Sequence, residues 1–156
     1  MSQNEMILSG SSAQRIHMCH PEVTLTIVDA WSYEEICVLY QAADWTQPTF
    51  TPEQIEKILK HSFCFVIAEH SGHAIGMGRV ISDGVSDGYL QDIVVLPRWR
   101  NKGIGTRIVK KLIQECHAHG VKWLGIIADP GTEYFYRAFG FARANGYTPM
   151  IYERNI

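Results

Sequence analysis

The sequence predicts an α/β fold whose sheet starts antiparallel and becomes parallel near its end, and three observations carry that prediction. Three apolar runs, Phe63 to Ala68, Ala74 to Ile81 and Tyr89 to Leu96, are separated only by turns, which makes an antiparallel meander. The third run stops at Pro97 and leads through a glycine-rich turn into a helical pattern, in which Ile104, Ile108, Val109, Leu112, Ile113 and Cys116 share one face. A further apolar run, Trp123 to Ala128, follows that helix, so the strands on either side of it are joined by a crossover and run parallel.

Taken in order, residues 1–20 read as a flexible polar arm and 21–156 as one domain. Within the arm, His17, Cys19 and His20 lie close together, but a zinc site needs a second ligand pair at a recognisable distance and none follows, so no metal is expected. Val23 to Ile27 alternates as a strand, and Ser32-Tyr33-Glu34-Glu35 is a capping box opening a helix through Ile36, Leu39, Tyr40 and Ala43. Thr51-Pro52-Glu53-Gln54 is a second box with proline in the first turn, and Ile55, Ile58 and Leu59 form the buried stripe of its helix. The loop Asp44-Trp45-Thr46-Gln47-Pro48 lies between the two helices. Ser71-Gly72 turns the first hairpin of the meander, and a Gly/Asp/Ser-rich turn makes the second. Asp129-Pro130 followed by Gly-Thr-Glu is an N-cap signal for a last helix, with Asp129 as the cap.

Composition excludes several classes of function. A chain of 156 residues that is 46% hydrophobic and 19% charged is long enough for one sizeable core. Sixteen acidic against fourteen basic residues argue against a partner bound by bulk positive charge, so no nucleic acid is expected. No apolar run approaches the roughly 18 residues that span a bilayer, and the polar start has no signal core, so the expectation is a cytoplasmic protein without a membrane partner. The cysteines, Cys19, Cys37, Cys64 and Cys116, show no paired spacing, and no disulfide is expected.

Positive charge is instead local. Arg98, Arg100, Lys102 and Arg107 crowd the turn before the long helix, where the first-turn N–H groups are unpaired and glycines let a phosphate approach the backbone. A P-loop is excluded because no Lys-Ser or Lys-Thr follows the second glycine, and a dinucleotide fingerprint because its third glycine would fall on Ile108. What remains is Arg-x-x-Gly-x-Gly, read as Arg100, Gly103 and Gly105. It resembles the coenzyme A pyrophosphate motif of the GNAT superfamily of acyl-CoA-dependent N-acetyltransferases. Phe135-Tyr136-Arg137-Ala138-Phe139-Gly140-Phe141 is similar to that family's Phe-Tyr-x-x-x-Gly-Phe signature. The resemblance spans Val23 to Tyr152 and implies a mixed, mostly antiparallel sheet with helices on both faces. It also implies two further elements, a bulge that splays a central parallel strand pair and strands that follow the last helix.

The resemblance implies site roles as well. Arg100, Asn101, Lys102, Gly103, Ile104, Gly105 and Thr106 would hold the pyrophosphate of acetyl-CoA as co-substrate. Backbone N–H groups at Val94, Val95 or Leu96 would stabilise the oxyanion, and Tyr136 would reach the coenzyme sulfur as general acid, the alternative for Tyr136 being core packing. An amine with a pKa near 10.4 is roughly one part in a thousand free base at neutral pH, so a proton acceptor is needed. Asp92 is the one acidic residue close to Val94 on its strand, and two roles stay open for it: catalytic base, or an anchor paired with an arginine such as Arg79. Alternation places Tyr89 and Gln91 on the other side of the strand, where they could guide a water chain. Asp129 stands seven residues before Tyr136, where many relatives carry asparagine, which favours capping over a ligand contact. Trp45, Phe50 and Tyr89 are the aromatics placed near the substrate entrance, with core packing the alternative for Trp45.

The expected activity is transfer of acetyl from acetyl-CoA to a primary small-molecule amine by direct attack in a ternary complex, with a homodimer left open. Two alternatives stand beside it, a non-catalytic CoA-binding sensor or interaction domain and a protein or peptide N-acetyltransferase.

Overall fold

The computed structural model describes residues 22–43 and 50–152. The readings made for His17, Cys19, His20 and Trp45 fall outside them. The elements are β1 (Thr24–Ile27), α1 (Tyr33–Ala42), α2 (Pro52–His61), β2 (Cys64–His70), β3 (His73–Ser82), β4 (Asp87–Val95), a 3-10 turn (Pro97–Trp99), α3 (Ile104–Ala118), β5 (Trp123–Gly125) and α4 (Glu133–Arg137). The sheet order is β1-β2-β3-β4-β5. Every neighbouring pair is antiparallel except β4 and β5, which are parallel as the crossover requires.

The local signals act largely as the sequence dictates. Ser71 and Gly72 have φ of 51° and 81°, the left-handed pair that a two-residue hairpin turn needs to match the strand twist. Thr51 and Gln54 form the reciprocal capping box of α2. Ser32 caps α1 by accepting from the Glu35 N–H, but the Glu35 carboxylate does not turn back to complete the box. It accepts instead from Trp31 Nε1 at 2.7 Å, from the Ala74 N–H at 2.9 Å and bonds His73 Nδ1 at 2.8 Å, which ties α1 to the start of β3.

Helices cover both faces of the sheet. On one, Val66, Ala68, Ile75, Val80 and Leu90 pack against Ile104, Ile108, Val109, Leu112 and Cys116 of α3. On the other, Phe65, Ile67, Met77 and Val94 meet Ile36, Leu39 and Tyr40 of α1 and Ile55 and Leu59 of α2. The α3 face is built close. A methyl at Gly78 would lie 2.7 Å from Ile108 Cγ2, and one at Gly76 would lie 3.1 Å from Ile108 Cδ1.

The end of the chain departs from expectation. β5 stops at Gly125, short of the predicted Ala128, and no strand follows α4 among the described residues. Asp129 is not the N-cap residue of α4. Thr132 is the N-cap residue, and its N–H and Oγ1 both donate to the Asp129 carbonyl, at 3.0 and 2.8 Å. The turn through Pro130 and Gly131, the latter at a φ of 84°, leads into the helix.

Candidate active site

The site is built around an extra residue in β4. Met77 pairs with Val94 and Arg79 with Gln91, so two steps along β3 correspond to three along β4 and Asp92 and Ile93 both lie opposite Gly78. Asp92 takes a φ of 54°, a left-handed conformation that aspartate tolerates better than most side chains. Its Oδ2 accepts from Arg79 Nε at 2.5 Å and from the Tyr40 hydroxyl at 2.8 Å. Arg79 Nη2 also reaches Gln91 Oε1 at 3.2 Å. Simple alternation therefore fails for Gln91, because the bulge lets consecutive residues, Gln91 and Asp92, meet the same arginine. Of the two roles left open for Asp92, this arrangement provides the anchor's partners. The Arg79 and Asp92 side chains are only 15% and 17% exposed. Burial, and then the negative charge of Asp92, raise the Tyr40 pKa, so its hydroxyl stays a donor.

β4 loses its parallel partner before the bulge is reached. The β4–β5 ladder runs Asp87 with Trp123, Gly88 with Leu124 and Tyr89 with Gly125, and there it ends. The remaining length of β4 has one edge open. The Leu96 N–H donates to the Ile75 carbonyl at 2.9 Å, on the β3 side. Antiparallel alternation turns Val94 the same way, so of the three expected oxyanion donors Val95 alone presents its N–H to the opening. Val94 also places its side chain in the core between sheet and α1, 4% exposed. The part of Tyr40 in the site was not legible in the sequence because it arises from the packing of α1 against β4.

The glycine turn lies at the end of this open edge. Asn101 and Gly103 have φ of 60° and 75°, and Gly103 is the N-cap of α3. The first helical bond runs from the Arg107 N–H to the Gly103 carbonyl at 3.1 Å, which leaves the N–H groups of Ile104, Gly105 and Thr106 at the helix start without a partner inside the helix. The Ile104 side chain is core, so only its backbone faces that way. The basic side chains divide. Arg100, exposed, donates from Nε to the Val95 carbonyl and from Nη2 to the Ala42 carbonyl, each at 2.9 Å, and so joins β4 to the end of α1. Arg107 Nη2 donates to the Val23 carbonyl at 2.7 Å. Lys102 lies over the Trp99 ring, 4.8 Å from its centroid.

α4 completes the site from the other side. A methyl at Gly105 would lie 3.5 Å from the Phe135 ring, so α4 rests against the first turn of α3. Tyr136 follows, half-buried and edge-on to Phe135 with centroids 4.9 Å apart. Burial, helped by the charge of Asp129, pushes its hydroxyl up to about 12. Tyr89 is exposed on the sheet face that carries Arg79 and Asp92. Among the described residues no group of three or more His, Cys, Asp or Glu is arranged to hold a metal.

Residues 29–141 match the Acetyltransferase (GNAT) family, and the chain belongs to that family. It is 27% identical over 99 residues to a rice protein, "Serotonin N-acetyltransferase 2, chloroplastic", a match covering 61% of this chain and 50% of that protein. It is 27% identical over 104 residues to "GCN5-related N-acetyltransferase 1, chloroplastic" of Arabidopsis thaliana, covering 65% of this chain and 53% of that one. The chain thus spans about half the length of these curated relatives. A GNAT-family acetyltransferase structure from Streptococcus pneumoniae superposes with a TM-score of 0.73 at 26% identity, covering 86% of this chain and all of its own. The fold is that of the family, with its parallel pair at β4 and β5.

Proposed function

We propose that the protein transfers acetyl from acetyl-CoA to a primary small-molecule amine by direct attack in a ternary complex. The observation that carries this reading is the bulged, half-unpaired β4, which runs directly into a helix start with three adjacent N–H donors. Acetyl-CoA supplies the acyl thioester. The N–H groups of Ile104, Gly105 and Thr106, with Asn101 and Lys102 beside them, bind its pyrophosphate. The Val95 N–H, turned to the opening, hydrogen-bonds the acyl oxygen as negative charge develops there. Tyr136 donates to the sulfur. Its pKa of about 12 lies above the roughly 8.5 of an ordinary thiol, so it acts as a hydrogen-bond donor that steadies the thiolate. Asp92 fixes the bulge through Arg79 and Tyr40, and water carries away the ammonium proton.

The rice relative's name specifies serotonin, a primary amine with an aromatic body, which agrees with this acceptor class. A CoA-binding sensor has no use for a hydroxyl placed as that of Tyr136 is. A protein or peptide acceptor is the other reading, and an acceptor panel separates it. The test is incubation with acetyl-CoA and a set of amines and peptides, with acetylated product read by mass spectrometry. Acetylation of small amines is expected; product with peptides alone would move the assignment to the protein-directed class, and binding of acetyl-CoA with no product from any acceptor would favour the sensor.

A further inference from the structure

Tyr89 and Trp123 stand edge to face across β4 and β5, with ring centroids 5.5 Å apart and planes at 64°. Both rings lean over Gly125, where a methyl would fall 2.9 Å from the Trp123 ring and 3.0 Å from the Tyr89 ring. This arrangement of the two rings is therefore open only to glycine at that position. The rings are 47% and 53% exposed, and Ile81, paired in register with Tyr89, is 40% exposed beside them. They lie on the sheet face that α1 and α2 cover further along. A row of three large apolar side chains on one sheet face, left open to water, is unusual enough to need an occupant.

Its position suggests which one. Tyr89 and Gly125 form the last paired step before β4 and β5 separate, so the rings stand at the end of the opening away from the glycine turn. Three residues separate Tyr89 from Asp92, roughly 10 Å of strand. A coenzyme held at the start of α3 fills the opening from the Leu96 end, which leaves the Tyr89 end for the second substrate.

Resting on the acetyltransferase reading, the geometry points to Tyr89, Trp123 and Gly125 as the wall that binds the aromatic body of the acceptor, and to an arylalkylamine as the acceptor class. The rings bind the aryl group, and the amine extends along β4 toward the bulge. A polyamine gains little from such a wall, since its several charges call for several carboxylates.

The test is calorimetric titration of the full chain, saturated with coenzyme A, with 2-phenylethylamine, butylamine and spermidine, repeated on Trp123→Ala and Trp123→Phe. Phenylethylamine should bind about tenfold more tightly than butylamine or spermidine, Trp123→Ala should abolish that preference, and Trp123→Phe should restore most of it. The coenzyme A affinity of both variants should match the wild type, which also shows that they fold. Equal binding of phenylethylamine and butylamine, a preference for spermidine, or an aryl preference unchanged in Trp123→Ala would overturn the wall. Binding does not require turnover, so absence of acetylated product alongside the expected binding pattern would count against the acetyltransferase reading and leave the wall intact.

Discussion

The surroundings of Asp92 and Tyr136 make different demands on a substitution. Asn at position 92 keeps the left-handed backbone and an oxygen for the Arg79 and Tyr40 bonds, but leaves a mostly buried guanidinium without its counter-charge. Asp92→Asn should cost about 1–3 kcal/mol in stability by urea denaturation. If Asp92 anchors the bulge, the shape of its pH-rate profile should match the wild type, whereas a flattened acidic limb would return it to the role of base. Tyr136→Phe removes only the hydroxyl. Turnover should fall by about 10²-fold with coenzyme affinity changed no more than a few-fold, because the bond strengthens as the sulfur gains charge. Equal turnover in the two proteins would reassign Tyr136 to packing against Phe135 and Phe141.

At the scale of elements, α1 is tied to β3 by one carboxylate. Burial opposes charge on Glu35, but the bonds from Ala74, His73 and Trp31 prevail, and its pKa falls below the ordinary 4.5. A depressed carboxylate contributes stability above 4.5 and loses it as pH drops through the lower folded value. Glu35→Gln should therefore destabilise by about 1 kcal/mol at pH 7, and the gap to wild type should close as urea melts are repeated below pH 4.5. A gap that stays constant down to pH 3 would mean that shape, not charge, makes the tie. The same carboxylate shows where sequence reading ends. Ser32-x-x-Glu35 is a capping pattern, and half of it holds, but the acceptor chose donors on a distant strand that no local pattern encodes. The meander, the crossover and the glycine turn were legible because each depends on periodicity or on a few adjacent residues. The bulge was legible only by family resemblance, since its cause, Arg79 and Tyr40 converging on Asp92, is tertiary. The partners of Arg100 were hidden for a related reason: a cation beside a glycine turn can also satisfy carbonyls at two element ends, here Val95 and Ala42.

For the molecule as a whole, a ligand that binds only the folded state stabilises it. Acetyl-CoA at a hundred times its dissociation constant should add about 2.7 kcal/mol, a rise of roughly 5–10 °C in melting temperature for a chain of this size. Gly103→Val should remove most of that rise, because valine is strained at the φ of 75° that starts α3; a folded variant with the full rise would detach the turn from coenzyme binding. The glycine-lined contact between β3 and α3 carries this dependence further. With Ile108 seated where a Gly78 side chain would be, the helix has one depth at which it can rest. Distance from the ligand then gives no immunity. Gly78→Ala, on a strand with no exposed route to the phosphates, should lift the helix by a fraction of an ångström and weaken coenzyme binding as a change in the turn itself would.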